Sequence, residues 1–386
     1  MMEKTFSFTG AKKIVFGSGS FERLGEYIGE LGGKRPIVVI DKNLADAGYR
    51  EKIAALFEGI GMTYTLYDKV EAEPTLELAD ESAKIALKKK SDIVIGIGGG
   101  SAMDTAKALS VIAANKGKAK DYLGLNNVPG PGLPKIMVPT TAGTGSEVTF
   151  TSVFIRSDLK KKEGMNSPYL YPEIALLDPV LTLSVPPAVT ASTGVDAFCH
   201  ALESYTSKNA SPMSEMFSLE AIELIASNLR TCVHNGDDIA AREAMLLGSL
   251  YAGLGLANAG VTAVHSLSYP LGGKYGIPHG MANTILLPAV MQFNLPGAIE
   301  KLAVVAEIMG EVVEDLSLRE AADMAVGAVE ELIHDCDIND TLETLGVERE
   351  DFPELAEMAM TVARPLANNP RMVSVEDAIE IYEDAF

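Results

Sequence analysis

Asp92-Ile-Val-Ile-Gly-Ile-Gly-Gly-Gly-Ser101 joins an uninterrupted apolar run to a cluster of glycines. A run with no polar alternation suits a parallel strand buried on both faces. The residues that follow, Ala102-Met-Asp-Thr-Ala-Lys-Ala-Leu-Ser-Val111, read as a helix. Strand, glycine loop and helix in that order are the context of a phosphate-binding turn. Gly98, Gly99 and Gly100 let the backbone approach a pyrophosphate, and Ser101 is placed to cap a helix whose N-terminal dipole favours an anion. A tight turn without a ligand is the plainer alternative, although it needs fewer consecutive glycines.

Outward from this stretch, short β-rich runs alternate with helical patterns. Pro36-Ile-Val-Val-Ile40 reads as a strand, Leu44–Glu58 as helical, Met62–Tyr67 as the next strand and Glu77–Lys89 as helical again. Lys135-Ile-Met-Val-Pro139, Glu147–Ile155 and Glu173-Ile-Ala-Leu-Leu177 read as further strands. A β-α-β-α-β series predicts an α/β, doubly wound (Rossmann-like) parallel sheet. From Pro186-Pro187 onward the pattern becomes helical, as in Glu215–Arg230, Ile239–Leu256, Leu316–Ile333 and Val375–Tyr382, with turns expected at His234-Asn235-Gly236 and Leu295-Pro296-Gly297. The expected organisation is a dinucleotide-binding α/β domain over residues 1–183 and an all-helical, metal-binding domain over 184–386, with a cleft between them.

The chain has 386 residues, 47% of them hydrophobic and 22% charged, which suits two globular domains. Its 32 basic and 53 acidic side chains give a net charge of −21. A field of that sign repels phosphate backbones and anionic lipid, so neither nucleic acid nor membrane is an expected partner. The start, Met1 to Gly10, lacks an apolar h-region, and no run reaches the ~18 apolar residues of a membrane span. Cys199, Cys232 and Cys336 form no CxxC pair. These features predict a cytoplasmic protein without a disulfide framework.

Two further segments suggest a nucleotide. Asp41 directly follows the first strand, where a carboxylate can accept bonds from a ribose diol and repel a 2′-phosphate, or can simply cap a helix. Pro139-Thr-Thr-Ala-Gly-Thr-Gly-Ser-Glu147 offers hydroxyls and free N–H groups, or is a plain polar turn. If the ribose reading of Asp41 holds, NAD is preferred over NADP.

Three of the five histidines fall in two short segments. Asp196 and His200 are four apart in a helical window, hence on one face. His265 and His279 flank Gly272-Gly273, Gly276 and Pro278, which let the chain turn back. One carboxylate and three imidazoles form a ligand set for Fe2+ or Zn2+. Core histidines with ordinary hydrogen bonds are the alternative. His234 and His334 read as exposed turn or helix-end residues, and Cys199 as a small buried residue on another helix face.

These motifs in order resemble the iron-containing (group III) alcohol dehydrogenase family. The resemblance rests on Gly98-Gly-Gly-Ser-Ala-Met-Asp104, Pro139 to Thr149, Thr193-Gly-Val-Asp-Ala-Phe-Cys-His200, His265 to Pro288 and Asn368-Asn-Pro-Arg371. It implies that Asp196, His200, His265 and His279 bind the metal. It also implies that Asp41, Gly98, Gly99, Gly100, Ser101, Thr140, Thr141, Thr144, Thr149 and Lys162 contact the cofactor, and that the protein is a dimer. Many members carry a histidine four residues after the third ligand, assigned to proton relay or the substrate pocket; Tyr269 stands there. Tyr269 is accordingly a candidate catalytic residue or a pocket wall.

The expected activity is metal-dependent hydride transfer between a primary alcohol, or its aldehyde, and NAD, with Fe2+ as the metal and Zn2+ as the alternative. A metal- and NAD-using lyase resembling dehydroquinate synthase is a rival, disfavoured because His265–His279 offers only Lys274 as a basic residue. A non-catalytic nucleotide-binding protein is a third reading, in which Asp196→Ala and His265→Ala leave cofactor affinity unchanged.

Overall fold

The computed structural model describes residues 5–159 and 161–386. The chain forms two compact units. One comprises Gly10–Thr141 and Gly145–Leu183; the other comprises Ser184–Phe386, the tripeptide Ala142–Thr144 and the segment ending at Thr9.

In the α/β unit the strands are β1 (Lys13–Phe16), β2 (Pro36–Asp41), β3 (Thr65–Val70), β4 (Ile93–Gly98), β5 (Gly124–Leu125), β6 (Lys135–Pro139), β7 (Thr151–Arg156), β8 (Lys161–Asn166) and β9 (Ile174–Leu177). The main sheet runs β1-β9-β6-β4-β2-β3, with every pairing parallel. Its helices are α1 (Leu24–Glu30), the short α2 (Lys42–Leu44), α3 (Arg50–Gly59), α4 (Leu76–Lys89) and α5 (Gly100–Asn115).

The apolar run in β4 is continuous because both of its faces are covered. Val94 joins Ile37, Val39 and Met137 in a core with α4 and α5, whereas Ile93, Ile95 and Ile97 join Val38, Ile40 and Ile136 in a second core with α1 and α3. Each such aliphatic side chain, fully buried, contributes about 1.5–3 kcal/mol, so a one-residue slip of register is strongly opposed. Gly96 faces α5, where an added Cβ would come within 2.8 Å of both Ala106 Cβ and Met137 Sδ. Its lack of a side chain lets the helix press on the strand.

Several local expectations are corrected. The helix expected over Leu44–Glu58 is broken at Gly48, whose φ of 94° places it outside the right-handed region. The strand expected at Met62–Tyr67 begins at Thr65, after the turn that ends α3. Glu147–Ile155 is not one strand, because Ser146–Val148 forms a tight turn and β7 starts only at Thr151. β7 pairs antiparallel with β8, which also pairs with β5, in a second, three-stranded sheet that the sequence reading did not contain. The edge strand β1 was likewise not anticipated.

The helical unit contains α6 (Pro187–Thr206), α7 (Pro212–His234), α8 (Ile239–Ala259), α9 (Ala263–Tyr275), α10 (His279–Ile308), α11 (Leu318–Asp335), α12 (Phe352–Met360), α13 (Ala363–Asn368) and α14 (Val375–Asp384). Ser211, Asp238, Ser317 and Ser374 cap α7, α8, α11 and α14 with their side chains. The expected turn at Leu295-Pro296-Gly297 is instead a kink inside α10, with Ala298 at φ −142°. Neighbouring helical packing holds the two halves as one bent rod. Helix α6 is the axis of the unit, with every residue from Gly194 to Thr206 buried.

Candidate functional site

Four ligand-type side chains meet in the helical unit. Asp196 and His200 stand one turn apart on α6, His265 lies in the first turn of α9, and His279 opens α10. Gly276 ends α9 in the left-handed conformation at φ 70°, and Pro278 then directs the chain into α10. The four offer ligand atoms within 4.8 Å of one another. Asp196, His200 and His265 are almost wholly buried, at 2%, 5% and 3% exposure.

The hydrogen bonds around the rings decide what they present. His200 Nδ1 lies 3.3 Å from the carbonyl oxygen of Gly143, which can only accept, so Nδ1 carries the proton. His265 Nδ1 donates in the same way to Glu203 Oε2. Both Nε2 atoms are therefore lone-pair acceptors, and they face each other at 3.0 Å. Asp196 Oδ1 lies 3.8 Å from His200 Nε2. The Asn283 amide nitrogen donates to Asp196 Oδ1 at 2.7 Å and lies 3.2 and 3.3 Å from the Nε2 atoms of His265 and His279. Burial, partly offset by Asp196, holds His200 below its ordinary pKa and so keeps it neutral. Buried acceptors aimed at one point with their protons held on the far side suit a divalent cation. Nitrogen and carboxylate donors without a thiolate suit Fe2+ or Zn2+.

Sequence reasoning missed two residues here. Glu203 lies three residues after His200 on α6, and Asn283 lies four after His279 on α10, so helical spacing was the available signal. Burial alone would raise the Glu203 carboxyl, but the His265 ring and the Thr262 hydroxyl outweigh it and hold the pKa below the ordinary value. Tyr269 follows His265 by one turn, its ring centroid 6.5 Å from that of His265 and 5.8 Å from that of His279. Cys199 Sγ lies 3.7 Å from Glu203 Oε2, and burial pushes its pKa far up, so it remains a thiol. His234 is exposed and bonds the Asp335 carbonyl.

The other candidate residues belong mostly to the α/β unit. From β2 the chain steps outward to β3 and then back to β4 on the opposite side, so the order reverses between β2 and β4. Ligands of open parallel sheets bind beyond the strand C-termini at such a reversal. Asp41 ends β2 and Gly98 ends β4. A Cβ on Gly98, at φ 145°, would lie 2.8 Å from Ala102 Cβ and 3.0 Å from Asp41 Oδ2. Asp41 Oδ1 accepts from Leu44 N at 2.8 Å, capping α2 and leaving Oδ2 on the Gly98 side.

Gly99, rather than Ser101, takes the cap position of α5; Ser101 sits inside the first turn and no side chain caps that helix. Its first N–H groups can thus serve an anion. Thr140 N donates to Gly98 O, and Thr141 Oγ1 would lie 3.4 Å from a Cβ on Gly99. Gly100 opens α5 beside them. Thr144 falls in the helical unit. Thr149 and Lys162 are engaged by protein groups, Thr149 Oγ1 by Lys107 Nζ at 3.2 Å and Lys162 Nζ by Glu73 Oε2 at 2.7 Å. Lys107 also pairs with Asp104 at 3.0 Å, and Asp104 accepts from Ser146 Oγ at 2.6 Å and Val153 N at 2.8 Å. Within this unit, the Gly-Gly-Gly-Ser-Ala-Met-Asp motif is therefore locked to the residues after the threonine loop.

Comparison with known proteins agrees along the whole chain. The model of the family described as iron-containing alcohol dehydrogenase matches residues 11–179, and that of the Fe-containing alcohol dehydrogenase family C-terminal region matches residues 190–386. Long-chain-alcohol dehydrogenase 1 of Geobacillus thermodenitrificans is 40% identical over 97% of this chain and 96% of its own. NAD-dependent methanol dehydrogenase of Bacillus methanolicus is 36% identical over 96% and 97%. The crystal structure of a 1,3-propanediol oxidoreductase superposes with a TM-score of 0.96 at 36% identity, covering 99% of this chain and 100% of that one. With both halves matched, the chain belongs to the iron-containing alcohol dehydrogenase family.

Proposed function

We propose that this enzyme interconverts a primary alcohol and its aldehyde with NAD as hydride carrier, and that Asp196, His200, His265 and His279 hold Fe2+. The observation that carries the reading is the 3.0 Å approach of the His200 and His265 Nε2 atoms, two acceptors that only a cation or a shared proton reconciles. When bound, the metal supplies Lewis acidity toward an alcohol or carbonyl oxygen and the nicotinamide carries the hydride. In the oxidation direction the carbinol carbon loses a hydride and its hydroxyl loses a proton.

The chain's own groups prepare that exchange. Asp196 supplies the single negative charge of the donor set, so a divalent ion keeps net positive charge in a buried place where it acts strongly. Asn283 holds the Asp196 carboxylate through the 2.7 Å bond to Oδ1. Tyr269 lines the space beside His265 and His279, and we assign it a pocket-shaping role. Asp41, Gly98, Gly99, Gly100 and Ser101 with Thr140, Thr141, Thr144, Thr149 and Lys162 make up the proposed NAD site. The Asp41 carboxylate beside Gly98 favours a free 2′-hydroxyl and so disfavours NADP.

The reading includes a cytoplasmic homo-oligomer, a dimer by family resemblance; three unpaired, buried cysteines support a reducing compartment. Among the described residues no single helix is long and apolar enough to cross a membrane. The lyase alternative loses ground, because the relatives named above are dehydrogenases or oxidoreductases. The test is purified protein with NAD, Fe2+ and a panel of alcohols, followed by the near-ultraviolet absorbance of reduced cofactor. Net reduction supports the proposal, and no turnover of any short alcohol or aldehyde with Fe2+ or Zn2+ overturns it. Elemental analysis of anaerobically purified protein decides between the two metals, which the same donors accept.

A further inference from the structure

Glu203 is a carboxylate with only 2% exposure, and among the described residues no lysine or arginine pairs with it. Its acceptor capacity is taken up at the start of α9. Oε1 receives Thr262 N at 3.0 Å, Thr262 Oγ1 at 2.8 Å and Val264 N at 2.9 Å. Thr262 is the cap residue of α9 and makes no side-chain cap of its own, so Glu203 supplies the missing acceptor from α6. The positive end of the helix dipole favours a carboxylate there. With Oε1 committed, Oε2 faces His265 Nδ1.

The segment that bears these donors is itself braced by the one motif so far without a function, Asn368-Asn-Pro-Arg371. Asn368 Nδ2 donates to Val261 O at 3.0 Å, and Asn369 Oδ1 accepts from Ala263 N at 3.3 Å. Asn369 is in turn fixed by reciprocal amide bonds with Asn294 on α10, at 2.9 and 2.6 Å. Gly260, at φ 77°, allows the approach, since a Cβ there would lie 2.5 Å from Asn368 Nδ2. Glu203 therefore cannot swing away from His265 without abandoning three donors that are held in place from behind.

We propose that Glu203 is a positioning residue that selects the tautomer of His265, keeping its proton on Nδ1 and its Nε2 lone pair aimed at the metal position, with Asn368 and Asn369 as the rear brace. The inference rests on the metal-ligand role given above to His265. Its chemistry is that of an ionised carboxylate, which only accepts and so obliges Nδ1 to donate.

Glu203→Gln is the informative change because it keeps size and packing. Its amide oxygen can still receive the Thr262 and Val264 donors, leaving the amide NH2 toward His265. Nδ1 must then accept, and the ring proton moves to Nε2, where it blocks ligation. A residue that only caps α9 would be replaced by Gln with little effect on metal binding. Expected results are cooperative thermal unfolding of the metal-free variant at a midpoint no lower than that of the wild type, since a proton on His265 Nε2 relieves the facing lone pairs, and Zn2+ affinity, measured by competition with a chromophoric chelator, lowered about 10–100-fold. Long-range nitrogen–proton NMR of histidine-labelled, metal-free protein should show His265 protonated on Nδ1 in the wild type and on Nε2 in the variant. Equal Zn2+ affinity in the two proteins overturns the inference. So does a wild-type His265 protonated on Nε2, a result that holds even if the variant does not fold. A wild type in which His265→Ala leaves Zn2+ affinity unchanged overturns the ligand assignment instead, and so separates the two failures.

Discussion

The Nε2 atoms of His200 and His265 lie 3.0 Å apart, each on a ring whose proton is held on the opposite nitrogen by a group that accepts hydrogen bonds. Two buried lone pairs at that separation repel each other, so the metal-free protein carries an electrostatic penalty that a cation relieves. Chelation should therefore lower the melting temperature, and adding back Fe2+ or Zn2+ should restore it. Asp196→Ala removes the only charged member of the set and should weaken metal binding by more than about a hundredfold. Metal content after dialysis, alongside the melting shift, checks both; full metal retention in Asp196→Ala would remove it from the ligand set.

Tyr269 packs edge-on beside His265 and tilted beside His279. If it only shapes the pocket, Tyr269→Phe keeps the ring and lowers kcat by less than roughly tenfold, about 1.4 kcal/mol of barrier. A larger fall with metal content intact would assign the hydroxyl a direct part in the reaction.

Gly98 and Asp41 can be tested together because each limits the other. Gly98→Ala puts a methyl against Ala102 Cβ and Asp41 Oδ2 at a φ of 145°, and should cost about 1–3 kcal/mol in stability. Asp41→Ala also loses a helix cap, about 1 kcal/mol, but its sharper signature is cofactor choice. The ratio of kcat/KM for NAD to that for NADP should drop in Asp41→Ala. An unchanged ratio would reduce Asp41 to its capping role.

Glu147 gives a pH dependence with a definite sign. Its carboxyl is buried, its Oε1 meets no donor among the described residues, and burial pushes its pKa up to about 7 from an ordinary 4.5. The unfolded chain loses this proton at lower pH than the folded one, so Glu147 opposes folding increasingly as pH rises from about 4.5 to about 7 and then by a constant amount. The loss is about 3 kcal/mol at full extent. Denaturant unfolding of wild type and Glu147→Gln across this range should show a stability difference that grows in favour of the variant and levels off near neutrality. A flat difference would mean that the folded carboxyl ionises normally.

Much of this was legible in the residues. The continuous apolar runs of β2, β4, β6 and β9 announced a sheet covered on both sides, and the change at Pro186-Pro187 announced the helical half. What escaped were short or polar strands. Lys13-Ile-Val-Phe16 is a four-residue edge, and Lys161-Lys-Glu-Gly-Met-Asn166 carries few apolar side chains because its strand pairs within a small separate sheet. Pro296 signals a break in any local reading, yet packing against neighbouring helices keeps it inside a bent α10.

The sequence by itself determined the alternation of elements, the glycine loop after β4 and the identity of the four metal-ligand candidates, because each shows in local spacing: along one strand or helix, or, for His265 and His279, across one short glycine- and proline-containing turn. Tertiary structure alone decided how those candidates are presented. A glutamate on a helix is ordinarily solvated, and its spacing from His200 on α6 cannot by itself say which ring Glu203 meets. Its burial, its three donors and its bond to His265 exist only because α9 begins against α6 and the Asn368-Asn369 pair holds that beginning in place. Likewise, the protons of His200 and His265 sit on Nδ1 because Gly143 and Glu203, remote in sequence from at least one partner, place acceptors there. Spacing can nominate a ligand, but the tautomer that lets it bind is set by groups brought together in folding.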